Sequence, residues 1–260
     1  MIGLGTYAYF WQHAEGLTLA QAFDDARAQG VELFQICDYA PLESMSDREL
    51  ADAAHAAREN RLTIELGTKG IEPERLFRFL RLAETFDARL VRSMLHDPDA
   101  APNVTDAPAM LAESVGAYAA SGITLALETY EQVATADLVG VVEAVGSDAL
   151  GICLDPANVV ARLEQPTDCI ALAAPHVKNV HVKDFAFARQ DGWVGFTYSG
   201  ARMGSGLHDY AHLLDVVRPR ERGINEIVEH WLPWQGDSAA TIRTERDWTR
   251  ATLEYLRSTP

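Results

Sequence analysis

The chain has 260 residues, of which 48% are hydrophobic and 23% charged, as in an ordinary globular protein. Its 22 Lys and Arg against 38 Asp and Glu give a formal net charge of −16, which argues against a broad surface for nucleic acid or for an anionic membrane. The start MIGLGTY has no signal-peptide pattern, no apolar run is long enough for a membrane span, and three cysteines without metal or redox spacing indicate reduced thiols. We therefore expect a cytoplasmic protein that binds neither nucleic acid nor membrane.

In chain order, short β-branched or leucine-rich runs alternate with amphipathic helical patterns from one end of the sequence to the other. Eight runs have the length and composition of buried strands. They cover residues 2–7, 31–36, 62–67, 89–94, 123–128, 150–155, 177–184 and 225–230. No linker or low-complexity segment divides them.

The segments between these strands carry helix signals. Capping boxes at Thr18 and Ser46 predict helix starts. Residues 74–86 and 242–256 place apolar side chains at helical spacing, and the second of these stretches includes Trp248. Three glycines fall where helices should end, at Gly30, Gly122 and Gly146.

Eight alternations of strand and helix over this length predict a (β/α)₈ TIM barrel that forms one domain over residues 1–260. An open doubly wound sheet usually has fewer strands or adds a second domain. In a barrel, an inward side chain near the C-terminal end of a strand points into the active-site mouth. The strand ends are therefore where chemistry should be sought.

Four successive strand ends carry metal-binding side chains: Glu128, Asp155, His181 and Glu229. Taken singly, each has a plainer interpretation, such as a cap, a turn at Asp155 before Pro156, or a core histidine. Together, three carboxylates in a partly dry mouth would repel one another unless a cation lay among them. Carboxylates with one imidazole suit Mn²⁺, Mg²⁺ or Co²⁺, and Zn²⁺ remains open. We expect one divalent metal ion.

The motifs ALETYE, GICLDPANV, NVHVKDF, MGSGLHDY and IVEHW resemble the ordered motifs of the xylose-isomerase-like barrels, the sugar isomerase and epimerase superfamily. The resemblance implies that the four strand-end residues are the metal ligands, and that Glu128 and Glu229 transfer protons. It implies a carbohydrate or sugar-acid substrate, assembly as a homodimer or homotetramer, and an N-cap role for Asp209. The sequence departs from many epimerases at Asn158, where they have a histidine.

The chemistry implied is isomerisation or epimerisation of a ketose, sugar acid or sugar phosphate through a metal-stabilised enediolate. Lys183 could polarise the reacting oxygen or return a proton, and pairing with a neighbouring carboxylate is the alternative. The runs QICDYAPL, IELGTKGI and KDFAFARQDGWVGF are similar to the subgroup that includes 3-oxo-isoapionate decarboxylase. That similarity implies a lyase that releases CO₂ from a 3-oxo sugar acid, and spacing does not separate the two reactions.

Cationic side chains near other strand ends suggest an anionic substrate, unless they pair with carboxylates instead. We expect a long loop over residues 185–203 to cover the mouth and to bring Arg189, or Arg202, to a substrate acid. The candidate substrate-binding residues are Gln35, Lys69, Arg92, Asn158, Trp11 and Arg189.

Two rival functions have different sequence requirements. Apurinic endonuclease barrels of the same superfamily need additional histidine ligands, whereas this chain has Lys69, Arg92 and Asn158 at the corresponding places and a charge unsuited to DNA. A non-catalytic barrel would hold a sugar acid without metal, and its acidic residues would only brace Lys and Arg.

Overall fold

A computed structural model describes residues 1–259 of the chain. Its strands are β1 (Ile2–Gly5), β2 (Leu33–Cys37), β3 (Thr63–Gly67), β4 (Leu90–Ser93), β5 (Thr124–Glu128), β6 (Leu150–Leu154), β7 (Val177–Val182), β8 (Asp184–Arg189), β9 (Phe196–Ala201) and β10 (Asn225–Val228). Eight of these strands form a closed parallel barrel in the order β1-β10-β7-β6-β5-β4-β3-β2. The predicted (β/α)₈ barrel is confirmed, because each barrel strand lies within or overlaps one of the eight predicted runs.

The helices surround the barrel. They are α1 (Phe10–Ala14), α2 (Leu19–Ala28), α3 (Ala40–Ser44), α4 (Asp47–Glu59), α5 (Pro73–Phe86), α6 (Ala107–Ala120), α7 (Thr135–Val145), α8 (Pro166–Ala173), α9 (Tyr210–Val217) and α10 (Ser238–Ser258). Short 3₁₀ turns cover Thr6–Tyr9, Asn158–Arg162, Ala174–His176 and Asp191–Trp193. Within residues 1–259, no helix combines the length and the apolar character that crossing a membrane requires.

Helix boundaries follow the sequence signals. Both capping boxes form, since Thr18 accepts from the Gln21 N–H and Ser46 accepts from the Glu49 N–H. The three predicted glycine ends all adopt positive φ, and Gly146 caps α7 directly with φ of 62°. Local sequence signals therefore account for these helix starts and ends.

The last helix differs from its prediction on the buried face. Trp248 is only half-buried, whereas Thr241, Glu245 and Thr249 are buried against the barrel. Glu245 accepts the backbone N–H groups of Trp11 and Gln12 at 2.8 and 3.1 Å. A purely apolar stripe was expected, but the neighbouring turn of α1 presents unpaired N–H groups that need an acceptor.

The segment predicted as a covering loop, residues 185–203, is mostly a β-hairpin. Strands β8 and β9 pair antiparallel from Asp184 opposite Ala201 to Arg189 opposite Phe196. The base of this hairpin is attached to the barrel mouth: the Gly200 N–H donates to the Trp231 carbonyl at 3.1 Å. Its glycine is required there, because a Cβ at position 200 would lie 2.6 Å from that carbonyl oxygen.

The glycine turn MGSG is organised by one carboxylate. Asp184 accepts backbone N–H groups at 2.8 to 3.0 Å from Phe185, Gly204, Gly206 and His208. A Cβ at Gly206 would lie only 2.3 Å from Asp184 Oδ1, so the turn can close only around glycine. Asp209 then caps α9 by accepting from the His212 N–H at 3.0 Å, as the sequence predicts.

Candidate active site

Four polar side chains meet at the C-terminal mouth of the barrel. Glu128 ends β5, Asp155 follows β6, His181 lies in β7 and Glu229 follows β10. Ligand atoms of Glu128, Asp155 and His181 all lie within 4.8 Å of one another. All four residues are buried, with at most 3% of their surface exposed. Parallel strands bring their carboxyl ends to one edge, so residues far apart in sequence converge here.

The imidazole nitrogen Nδ1 of His181 faces the three carboxylates. It lies 3.4 Å from Glu128 Oε1, 3.9 Å from Asp155 Oδ2 and 3.3 Å from Glu229 Oε1. Among the described residues, neither His181 Nδ1 nor Glu229 Oε1 has a hydrogen-bond partner, although both atoms are buried. Buried polar atoms without partners are costly. One imidazole nitrogen converging with carboxylate oxygens is a donor set that fits a divalent cation.

The environments of the carboxylates push their pKa values apart. Burial raises the pKa of Glu128, but opposing charges, that of Arg92 first among them, outweigh burial and hold that pKa below its usual range. Burial raises the pKa of Asp155 to about 6, although the charge of Lys183 opposes it. Two acids of one cluster thus differ in how readily they take a proton.

Lys183 lies inside the same cluster. Its Nζ is 2.6 Å from Asp155 Oδ2 and 2.9 Å from Glu229 Oε2, and it sits 4.5 Å from the centre of the Trp231 ring. Burial alone would lower its pKa, but the charges of Asp155, Glu229 and Glu128 raise that pKa well above its usual value. Lys183 is therefore a fixed cation in the mouth, paired with the carboxylates around it.

The other two predicted cations are paired as well. The Arg92 Nε contacts Glu128 Oε2, and its Nη1 lies 3.5 Å from Asp38 Oδ1. Lys69 Nζ lies 3.2 Å from Asp38 Oδ2, and 38% of its side chain is exposed. The pairing with carboxylates that the sequence left open is thus the arrangement observed.

Asp38 is a site residue that the sequence analysis missed. It pairs with both Lys69 and Arg92, and it accepts a hydrogen bond from the Tyr7 hydroxyl at 3.1 Å. Asp38 directly follows β2, so the strand-end rule applied to the second strand would have found it.

Asn158 lies directly against the cluster. Its side-chain N–H donates to Glu128 Oε1 at 2.7 Å and to the Thr129 carbonyl at 3.1 Å. Its Oδ1 is buried and has no hydrogen-bond partner in the described part of the chain. Asn158 therefore offers a free acceptor beside the predicted metal ligands.

Gln35 and Trp11 take positions that differ from simple substrate contact. Gln35 is fully buried, and its Oε1 lies 2.8 Å from Nε2 of His181. Trp11 donates from Nε1 to the Leu232 carbonyl at 2.8 Å and lines a cavity of about 130 Å³ at the mouth together with Trp231. Trp11 therefore lies at the rim of the mouth, whereas Gln35 lies deeper, inside the barrel.

The structure does not bring Arg189 to the cluster. This side chain is exposed and stacks on hairpin aromatics, 4.4 Å from the Phe196 ring centre and 5.1 Å from that of Trp193. Arg202 likewise pairs with Asp247 at the surface, 3.4 Å away. Neither side chain lies at the cluster in this structure, so closure of one of them on a substrate acid stays a prediction.

Comparison with known proteins gives a consistent result for most of the chain. Residues 23–258 match the family described as xylose isomerase-like TIM barrel. The chain is 48% identical over 259 residues to the 3-oxo-isoapionate decarboxylase of Pectobacterium atrosepticum, an alignment that covers 98% of this chain and 94% of that protein.

Solved structures share the fold at low sequence identity. D-psicose 3-epimerase from Clostridium cellulolyticum H10, solved with D-tagatose, has a TM-score of 0.74 at 14% identity and covers 98% of both chains. The IOLI protein, solved with a zinc atom, has a TM-score of 0.74 at 16% identity, covering 95% of this chain and 96% of its own. At such identities the likeness concerns the barrel fold.

Proposed function

Because the chain belongs to the xylose isomerase-like TIM barrel family, we propose that its barrel mouth is the active site of a divalent-metal-dependent decarboxylase acting on a 3-oxo sugar acid, of the 3-oxo-isoapionate type. The chain is an enzyme of this superfamily. The observation that carries the choice of reaction is the 48% identity over nearly the full length to a decarboxylase. The motifs alone favour isomerisation with decarboxylation as the alternative, and the identity to this relative supports decarboxylation.

The charges of the mouth favour an acidic substrate. Three carboxylates, Glu128, Asp155 and Glu229, face two fixed cations, Lys183 and Arg92. The nearby pair of Lys69 and Asp38 adds no net charge. One negative charge therefore remains, and a divalent ion would turn it into one net positive charge. A mouth of that sign attracts a carboxylate even in a protein with a net charge of −16.

The proposed reaction breaks the bond between the carboxylate carbon and the carbon next to the ketone. The electron pair of that bond moves towards the ketone oxygen, CO₂ leaves, and a proton then adds to the carbon. A divalent ion held by Glu128, Asp155, His181 and Glu229 would supply positive charge for an oxygen on which negative charge develops. Decarboxylation and isomerisation both need this positive charge, so site residues of this kind suit both reactions.

We assign the return of the proton to the pair of Lys183 and Glu229, whose Nζ and Oε2 lie 2.9 Å apart. Glu128 is held ionised by Arg92, whose Nε contacts Glu128 Oε2, and this makes Glu128 a poor proton donor. Lys183 carries a proton, and solvent restores it after transfer to the carbon. In this assignment Glu128 contributes charge and position, and not a proton.

Aromatic side chains form one wall of the mouth beside Lys183. Tyr198 of β9 packs its ring 5.5 Å from Phe185 and 5.7 Å from Trp231, and its hydroxyl donates to the Ala157 carbonyl at 2.6 Å. Apolar walls strengthen the charge interactions between the substrate and Lys183. The free Oδ1 of Asn158 is suited to accept a hydrogen bond from a sugar hydroxyl.

The test is a substrate screen on Mn²⁺-loaded protein in D₂O, with ketoses, sugar phosphates and 3-oxo sugar acids that include 3-oxo-isoapionate. We expect one CO₂ per substrate consumed and one deuterium in the product, with the 3-oxo acid as the best substrate. Deuterium exchange or isomer formation without CO₂ would contradict the decarboxylase and support an isomerase or epimerase.

A non-catalytic barrel is tested by metal content. Protein purified without added metal is examined by elemental analysis, and its melting temperature is measured with and without Mn²⁺. We expect a bound divalent ion or a rise in melting temperature on addition. If neither result is obtained, the carboxylates serve only as partners of Lys183 and Arg92, and the metal mechanism fails.

A further inference from the structure

A layer of buried polar side chains lies beneath the mouth. Gln35 of β2, Glu65 of β3 and Asn179 of β7 point into the barrel, and each is at most 2% exposed. Gln35 and Glu65 are direct neighbours across the β2–β3 pair. The interior of such a barrel is usually filled by Val, Ile and Leu. A carboxylate and two amides at this depth are costly unless every polar atom is bonded.

Glu65 collects the N–H groups of this layer. Its Oε2 accepts from Asn179 Nδ2 at 2.9 Å and from Gln35 Nε2 at 3.2 Å. Its Oε1 accepts from Asn225 Nδ2 at 2.6 Å. Three donors on one carboxylate make Glu65 an acceptor on both oxygens, which fixes the direction in which each amide must point.

The orientation of the Gln35 amide follows from these acceptors. Its nitrogen faces two oxygens, Glu65 Oε2 and Asn179 Oδ1, each at 3.2 Å. A flipped amide would place an oxygen against both of them, so the nitrogen must stay on this side. The amide oxygen of Gln35 is therefore the atom that faces His181 Nε2 at 2.8 Å.

An oxygen at that place requires a hydrogen on the imidazole. Because the Gln35 oxygen can only accept, Nε2 of His181 must carry the N–H. A neutral imidazole has one N–H, so Nδ1 is left with its lone pair. That lone pair faces Glu128, Asp155 and Glu229, the side on which Nδ1 lacks a hydrogen-bond partner within residues 1–259.

We infer that Gln35, held by Glu65 and Asn179, is a positioning residue that sets the tautomer of His181 and presents Nδ1 to a divalent ion. This role rests on the proposed metal site and replaces the expectation that Gln35 binds substrate. These contacts orient His181 before any ligand binds, because Gln35, Glu65, Asn179 and His181 are all buried and hydrogen-bonded to one another. Outer partners of this kind orient a ligating imidazole and raise its basicity.

The direct test is ¹⁵N NMR of histidine-labelled protein, metal-free and Zn²⁺-loaded. We expect the His181 Nε2 to carry a slowly exchanging proton in both forms, and Nδ1 to show the shift of a metal-bound nitrogen on Zn²⁺ addition. A bare Nε2, or a proton on Nδ1 in the Zn²⁺-loaded protein, would overturn the inference. This measurement needs no substitution and no turnover.

The variant test uses Mn²⁺ affinity measured by calorimetry. Gln35→Met keeps the side-chain size but removes the acceptor, and we expect it to weaken Mn²⁺ binding by roughly 10- to 100-fold. Gln35→Glu retains an acceptor oxygen for Nε2 and, when protonated, can donate to Glu65, so it should recover most of the affinity. Gln12→Met is the matched control, because Gln12 is also buried but bonds to Arg246 in α10.

The outcomes separate the inference from the proposed function. If the wild type and Gln35→Met bind Mn²⁺ with equal affinity, the inference is contradicted and the proposed function is not. Wild-type protein that binds neither Mn²⁺ nor Zn²⁺ would contradict the proposed function, and a bare Nε2 in the metal-free protein would still overturn the inference. If Gln35→Met fails to fold by circular dichroism, the NMR result on the wild type decides.

Discussion

The strand-end cluster and the β8–β9 hairpin both lie at the barrel mouth, but they are held in very different ways. Glu128, Asp155, His181 and Glu229 are buried on strand ends and surrounded by charged partners. The hairpin is attached at its base, and its far end exposes Trp193 and Phe196 to 78% and 60%. Rigid strand ends suit chemistry that needs fixed distances, whereas the far end of the hairpin has few contacts that fix it.

This contrast predicts effects that decline from the cluster to the hairpin end. His181→Ala should produce the largest loss, because it removes a ligand and leaves the carboxylates to repel one another. Loss of an outer partner of a metal ligand weakens metal binding by roughly 10- to 100-fold, and we expect the loss of Mn²⁺ affinity in His181→Ala to be larger than that. The rate of CO₂ release should fall as well. His55→Ala is the matched control, since that histidine is exposed on α4. Unchanged Mn²⁺ affinity in His181→Ala would show that His181 is not a metal ligand.

Lys183→Met should separate metal binding from turnover. The ammonium group shares Asp155 and Glu229 with the proposed metal ion, so its removal should leave Mn²⁺ affinity equal to or higher than that of the wild type. Turnover should fall by roughly 10²- to 10⁴-fold, the usual contribution of a positioned proton donor. The measurements are calorimetry and CO₂ release. Lys178→Met, in β7 shortly before Lys183, is the control, and full turnover in Lys183→Met would remove this residue from its role.

Tyr198→Phe tests the base of the hairpin, which lies between the two extremes. The variant loses the hydrogen bond to the Ala157 carbonyl and keeps the ring against Phe185 and Trp231. A single hydrogen bond contributes about 1 kcal/mol, so we expect kcat/KM to fall by roughly fivefold. Mn²⁺ affinity should stay at the wild-type value. A change in metal affinity would mean that the hairpin supports the cluster itself.

Arg189→Met should have the smallest effect. Its stacking on Trp193 and Phe196 is exposed, and such contacts contribute about 0.5–1 kcal/mol to stability, with no link to the cluster. We expect kcat and KM to remain near wild type, while the buried counterpart Arg92→Met loses most of its activity. A large rise in KM for Arg189→Met would restore this residue as a substrate binder and show that the hairpin rearranges on binding.

The same contrast explains what the sequence could predict. The barrel strands have regular burial patterns, and parallel strands end at one edge, so the positions of Glu128, Asp155 and His181 follow from strand order alone. The hairpin was missed because its strands have few buried residues and therefore lack the alternation of apolar and polar residues that marks a strand.

The partners of individual side chains were not predictable from sequence. Gln35 owes its role to Asn179 and His181, which lie 144 and 146 residues later in the chain. The place of Asp38 after β2 could be read from the sequence, but its pairing with Arg92 of β4 and with Lys69 just after β3 could not. Strand order predicts which residues share the mouth, but pairwise partners depend on register and rotamers that only the folded barrel supplies.

The central claim is that four strand-end side chains hold one divalent ion at this mouth. Anomalous diffraction from crystals of the Mn²⁺-loaded protein tests it most directly. The claim predicts one strong peak in bonding contact with Glu128, Asp155, Glu229 and Nδ1 of His181, with Nε2 still bonded to Gln35. A crystal soaked in Mn²⁺ that shows no peak there, or a peak bonded to Nε2, would contradict it.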